Sequence, residues 1–151
     1  MRIVICAVGR LKPGPERELV DRFARRMTWP LEIREVDERR KLPAAEMKMR
    51  EGELLEKACP DGAVRVVLDE TGRALASGEL AGRIGAWRDA GRDIAFLIGG
   101  ADGHLTETRK SADLLLSFGA ATWPHMLVRV MLAEQIYRAQ EILAGHPYHR
   151  E

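Results

Sequence analysis

Four residues near the end of the chain, Arg138, Tyr148, His149 and Arg150, bring together groups that can handle a nucleic-acid base. An imidazole takes up a proton near neutral pH, which makes His149 a candidate general base. The guanidinium groups of Arg138 and Arg150 can hold a phosphate or an oxyanion with a fixed fork of donors. The ring of Tyr148 can stack on a base. Plainer readings stand beside these. A short tail after Gly145 is frayed by default. Arg138 can simply pair with Glu134, one helical turn away. His125, His146 and His149 suggest a metal, but no carboxylate or thiol is spaced to complete a ligand set, so no metal is expected.

A second feature is backbone with little side chain. Leu68-Asp69-Glu70-Thr71-Gly72, Gly99-Gly100-Ala101-Asp102-Gly103 and Ser117 to Trp123 each follow an apolar run. In the last of them Gly119, Ala120 and Ala121 present almost bare main chain. Such backbone can approach a flat ligand closely and read its polar edge with N–H and C=O groups. The same glycines would also serve ordinary tight turns. Neither GxGxxG nor GxxxxGK[ST] occurs, so the phosphate-cradling motifs are absent.

The elements that must position these groups follow from periodicity and punctuation. Strands are expected at Arg2 to Val8, Leu31 to Val36, Val64 to Leu68, Ile94 to Ile98 and from Leu114. Helices are expected from Pro15 to about Trp29, Pro43 to Cys59, Ser77 (as N-cap) to Ala90, Leu105 to about Ala112 and Pro124 to Ala144. In the last helix Val128, Leu132, Ile136, Ala139 and Leu143 share one face. Strands alternating with helices imply an α/β fold with a mostly parallel sheet flanked by helices. In such sheets ligands bind beyond the carboxyl ends of the strands, which is where the three bare loops lie.

The bulk numbers set limits. A chain of 151 residues fits one domain, here 1–151, and can bury a core without disulfides or metal. No apolar run reaches the roughly 20 residues of a membrane span. Cys6 and Cys59 lack CxxC spacing and read as buried thiols, so the protein is expected in the cytoplasm. A net charge of +1 leaves nucleic-acid contact to local patches. Arg22, Arg25 and Arg26 share one face of the first helix, and Arg39, Arg40 and Lys41 form a second cluster. Both are either solvated surface or phosphate contacts.

VGRLKPG near the start, IGGADGH in the middle and, above all, TWPHMLVRVMLAEQIYRA with the terminal HPYHRE resemble one family over the whole chain. It is the ribosomal RNA large subunit methyltransferase H family of the SPOUT superfamily, the 23S rRNA pseudouridine-N3 methyltransferases. The resemblance implies a SPOUT-type fold with a C-terminal trefoil knot. It implies S-adenosyl-L-methionine as methyl donor, held at Leu68, Gly99, Phe118, Gly119, Ala120, Ala121, Thr122 and Trp123. It implies a homodimer acting on 23S rRNA of the assembled ribosome, at a hairpin on the subunit interface, with the tail residues reaching a partner's site. One departure stands out: Trp123 occupies a position where relatives usually carry Leu or Phe, and its larger ring alters how the adenine edge is covered. Met126, Leu127, Val128, Val130, Met131 and Leu132 nearly encircle the first turns of the last helix, more than one sheet face can cover, and part of this surface would form the dimer interface. Two other classes remain open from the residues alone: a catalytically silent ribosome- or RNA-binding α/β module, and a small-molecule enzyme using the same loops for another nucleotide.

Overall fold

The computed structural model describes residues 1–150. Glu151, the last residue of the tail, lies outside the described residues. The elements run β1 (Ile3–Val8), α1 (Pro15–Arg26), β2 (Leu31–Val36), α2 (Ala44–Ala58), β3 (Val64–Ala74), α3 (Ser77–Asp89), β4 (Ile94–Ile98), α4 (Thr106–Lys110), β5 (Leu114–Ser117) and α5 (His125–Leu143). The strands form one sheet in the order β2-β1-β4-β3-β5, and every pairing in it is parallel.

β1 shows why the sheet is layered. All six of its residues are buried, and the strand's two-residue period sends them to opposite faces. Ile3, Ile5 and Ala7 join Leu80 and Ile84 of α3 and Leu132, Ile136 and Ala139 of α5. Val4, Cys6 and Val8 join Leu55 of α2. Burying each large apolar side chain stabilises the fold by roughly 1.5–3 kcal/mol, so a central strand read by both layers is the anchor of the core. Burial also pushes the Cys6 thiol up to about 12, which leaves it protonated and unreactive.

Element ends differ from expectation where tertiary contacts intervene. α1 stops at Arg26 because Met27 turns extended and the side chain of Gln140 accepts the N–H groups of Thr28 and Trp29, at 2.7 and 3.2 Å. Ser77 does not cap α3. Ala76 occupies that position, its N–H donating to the Glu79 carboxylate at 3.1 Å, and the Ser77 hydroxyl donates to Gln135 Oε1 at 2.7 Å instead. α4 is shorter than expected, at Thr106–Lys110.

The largest difference is β3, expected to end at Leu68 but continuing to Ala74. Leu68 and Arg73 both register with Leu116 of β5, and the four residues between them leave the ladder. Gly72 lies so close to β5 that a Cβ there would sit 2.6 Å from the carbonyl carbon of Leu115 and 2.8 Å from the nitrogen of Leu116. Two main chains approach here with no room for a side chain. Residues 69–72 read as a turn in the sequence because nothing local announces the strand they approach.

Candidate active site

The carboxyl ends of β3, β4 and β5 open into one cavity of about 340 Å³. That is the size range of a small-molecule or cofactor site. Its wall includes Leu68, Gly99, Phe118, Gly119, Ala121, Thr122 and Trp123, seven of the eight positions expected to hold a donor. Ala120 is exposed and does not line it. The bare backbone thus has a geometric role: the three loops converge around a single concavity.

Side chains fix those loops. The buried Ser117 hydroxyl donates to the main-chain oxygens of Gly119 at 2.9 Å and Glu70 at 3.3 Å, and accepts the Gly119 N–H at 3.1 Å. The Thr122 hydroxyl reaches Glu70 Oε2 at 3.4 Å, tying the β5 loop to the β3 loop. Trp123 folds back across its own loop, its indole N–H donating to the Phe118 carbonyl at 3.3 Å. A Leu or Phe has no such donor, so the tryptophan closes the loop as well as covering it.

The cavity is acidic. Asp69, Glu70 and Asp102 line it against one cation, Arg109, whose Nε donates to Asp69 at 3.1 Å. Asp69 sits low for a carboxyl: its burial opposes this, but hydrogen bonds from Thr71 and Arg109 outweigh the burial. Two histidines that the sequence left without a role also face the cavity. His104, in the IGGADGH run, is 3% exposed, and its Nε2 has no partner. Burial holds it below the ordinary imidazole value, hence neutral. His125, at the start of α5, is lowered by burial first and by the nearby Arg129 second. The only sequence signal for either was a histidine beside glycine or proline at an element end.

The tail is not frayed. Tyr148 packs edge-on against Tyr137 at 4.9 Å between ring centroids, and its hydroxyl donates to Glu134 Oε1 at 3.0 Å. Arg138 pairs with the same carboxylate at 2.7 Å and lies 4.8 Å above the Tyr148 ring. So the plain i,i+4 pairing exists, but it is one edge of a larger cluster. Arg138 Nη1 lies 3.1 Å from His149 Nδ1. A guanidinium only donates, so Nδ1 accepts and the neutral ring carries its proton on Nε2. Arg150 is exposed.

The tail and the cavity do not meet within one chain. None of the four tail-cluster residues lines the cavity. Arg138 is 13 residues after His125 on α5, or about 20 Å along the helix axis. Among the described residues no group of three His, Cys, Asp or Glu side chains is placed to hold a metal. Arg22, Arg25, Arg26, Arg39, Arg40 and Lys41 are exposed, with Arg40 paired to Glu38 at 3.0 Å.

The sequence pattern of the family described as "Predicted SPOUT methyltransferase" matches residues 1–149. The protein named ribosomal RNA large subunit methyltransferase H from Rhodospirillum centenum is 58% identical over 151 residues, covering 99% of each chain. That from Paramagnetospirillum magneticum is 55% identical, again over 99% of each. The chain belongs to the ribosomal RNA large subunit methyltransferase H family, of SPOUT type. A solved structure, a probable methylase family protein from Haemophilus influenzae Rd KW20, superposes with a TM-score of 0.59 at 11% identity, covering 99% of this chain and 70% of that one. At that identity the likeness shows the fold alone. No helix among the described residues of this methyltransferase is long and apolar enough to cross a membrane.

Proposed function

We propose that the chain is a cytoplasmic, S-adenosyl-L-methionine-dependent methyltransferase acting on N3 of a pseudouridine in 23S rRNA of the assembled ribosome. The observation that carries this reading is the cavity built by three bare loops, on a chain whose relatives bear the large-subunit methyltransferase name. The residues fit the donor. The wall combines the bare main chain of Gly99, Gly100, Gly103 and Gly119 with the apolar side chains of Leu68, Ile98, Leu116 and Phe118, suited to a flat ring, and its carboxylates outnumber its cations, suited to a ligand carrying a sulfonium charge. Bound there, the donor would supply an electrophilic methyl group. Membership of the SPOUT family implies a threaded, knotted course for the C-terminal segment.

The acceptor nitrogen must lie about 3 Å from the methyl carbon and in line with the departing sulfur. It must also shed its proton, and negative charge develops on the neighbouring carbonyl oxygens. The tail cluster answers the second need most directly. With Nδ1 engaged by Arg138, His149 presents an N–H, and Arg138 and Arg150 are donors as well. Tyr148 offers a ring already buttressed by Tyr137. His149 serves as the base only after it leaves Arg138. Because the cluster lies far from its own cavity, it completes the site of a second copy. Leu127, at 38% exposure near the start of α5, offers that copy an apolar contact.

The test is methyl transfer. The purified protein is incubated with S-adenosyl-L-methionine and ribosomes lacking the modification, and added methyl groups are mapped on the large-subunit RNA by mass spectrometry. A single methyl on one interface pseudouridine is expected. Donor binding without transfer would make the target wrong. Neither binding nor transfer would leave a ribosome-binding module instead.

A further inference from the structure

Among the side chains with no exposure at all, the largest belongs to a cation, Arg129. Its Nη1 donates to Glu35 Oε2 at 2.6 Å, and its Nη2 donates to the carbonyl oxygens of Gly9 at 2.9 Å and Val8 at 3.3 Å. The same Glu35 oxygen accepts the Leu11 N–H at 2.8 Å. One ion pair therefore joins α5, β2, the end of β1 and the loop that follows β1. Packing alone does not call for it. An apolar side chain of similar volume would fill the space without desolvating a charge, and such replacements are often neutral or stabilising. What an apolar side chain lacks is a grip on the Gly9 and Leu11 main chain. Arg129 also leaves its Nε without a partner, so the site is not optimised for stability.

The main chain so held borders the cavity. Gly9 has a φ of +94°, and a Cβ there would lie 3.0 Å from Met126 Cε and 3.7 Å from His125 Nε2. His125 lines the cavity. A Cβ on Gly100, another lining residue, would lie 3.1 Å from Val8 Cγ1. β1 neighbours β4 in the sheet, so its carboxyl end adjoins the donor loops without forming part of their wall. The loop also carries two basic residues, Arg10 and the exposed Lys12, Arg10 being 3.4 Å from Asp37.

We propose that Glu35 and Arg129 are positioning residues for methyl transfer, holding the Gly9–Gly14 loop against the first turn of α5 and thereby fixing the rim across which the acceptor base reaches the donor. This rests on the methyl-transfer reading above. The pair touches neither donor nor acceptor; it acts through the loop and through His125.

The test compares wild type with Glu35→Gln, Glu35→Asp, Arg129→Met and Gly9→Ala in three measurements. These are amide hydrogen exchange at residues 9–14, donor affinity by calorimetry, and the single-turnover rate with unmodified ribosomes. Glu35→Gln is expected to speed exchange at Leu11, to leave donor affinity within about threefold, and to slow transfer about 100-fold, the cost of misplacement by about an ångström. Glu35→Asp restores part of the rate. Gly9→Ala, which leaves the ion pair intact but crowds Met126, reproduces the loss. Arg129→Met tests the cation directly, and the Glu35 variants decide the matter where it does not fold. An unchanged rate in folded Glu35→Gln overturns the proposal. So does a loss of donor affinity equal to the loss of rate, which would assign the pair to donor binding. If wild type transfers no methyl, the underlying reading fails; unchanged exchange in Glu35→Gln then separately overturns the grip on the loop.

Discussion

His149 illustrates how a single contact selects among chemical roles. Its Nδ1 faces a group that only donates, so the resting ring is a donor on its other nitrogen. His149→Ala is expected to lower turnover by about 10²–10⁴-fold, with donor affinity unchanged because the residue serves the acceptor base and is not part of the wall that holds the donor. Calorimetry beside single-turnover kinetics checks both halves; intact turnover would remove His149 from the mechanism. His104 governs a different property. Burial holds the folded ring below the ordinary imidazole range, hence neutral. On acidification the unfolded chain therefore binds a proton that the folded chain resists, and stability falls as the pH drops below about 6.5. His125 acts in the same sense. Glu51, raised by burial and by Asp102, acts in the opposite sense and nearer the carboxylate range. Denaturant midpoints measured between neutrality and the carboxylate range should decline with acid, and His104→Gln should flatten the decline. Neither His104 nor Arg129 was legible in the sequence. A charged residue inside an apolar helical stripe reads as a break in the stripe, and only the fold shows it reaching across to a carboxylate 94 positions away.

Elements were more legible than their ends. Five strands and five helices follow from the two periodicities, since burial on one face or two leaves its mark on every residue of a run. Their limits depend on partners distant in sequence: Gln140 ends α1, and β5 extends β3. The three cavity loops were readable because the sheet rule places ligands at carboxyl strand ends, and glycine-rich composition marked which ends. Gly72 is the sharpest element-scale case. A methyl group there meets backbone rather than a movable side chain, so Gly72→Ala should destabilise the fold by about 1–3 kcal/mol. Gly62→Ala, where a Cβ meets nothing within 4 Å but φ is +74°, gives the comparison for backbone strain alone. Equal losses in chemical denaturation would show that the contact at Gly72 is looser than its geometry.

On the scale of the whole molecule, the fact that matters is separation. The sequence motifs name both halves of the proposed site, but no motif states that His125 at the cavity and Arg138 in the tail cluster stand about 20 Å apart along α5. If a second copy closes that gap, inactive variants should rescue one another. Mixing a His149→Ala protein with one disabled in the donor loop, such as Gly119→Trp, gives mixed dimers in about half of all pairings, each with one intact composite site. Activity should then return to roughly a quarter of wild type, read by methyl incorporation after exchange of subunits. No recovery, with mixed dimers present by mass, would place tail and donor in one chain.

The close approach of residues 69–72 to β5 also bears on how this chain tolerates being cut. Most surface loops can be nicked or opened to new termini at small cost, and the charged stretch 37–43 between β2 and α2 is such a place. Residues 69–72 are not. They join two arms of a single strand that both pair with β5, and the hydroxyl and main-chain contacts of Ser117 and Thr122 hang from Glu70. A break there would free both arms and unfasten the donor loop at once, so a circular permutant opened at residue 40 should retain the cavity and one opened at residue 70 should lose it.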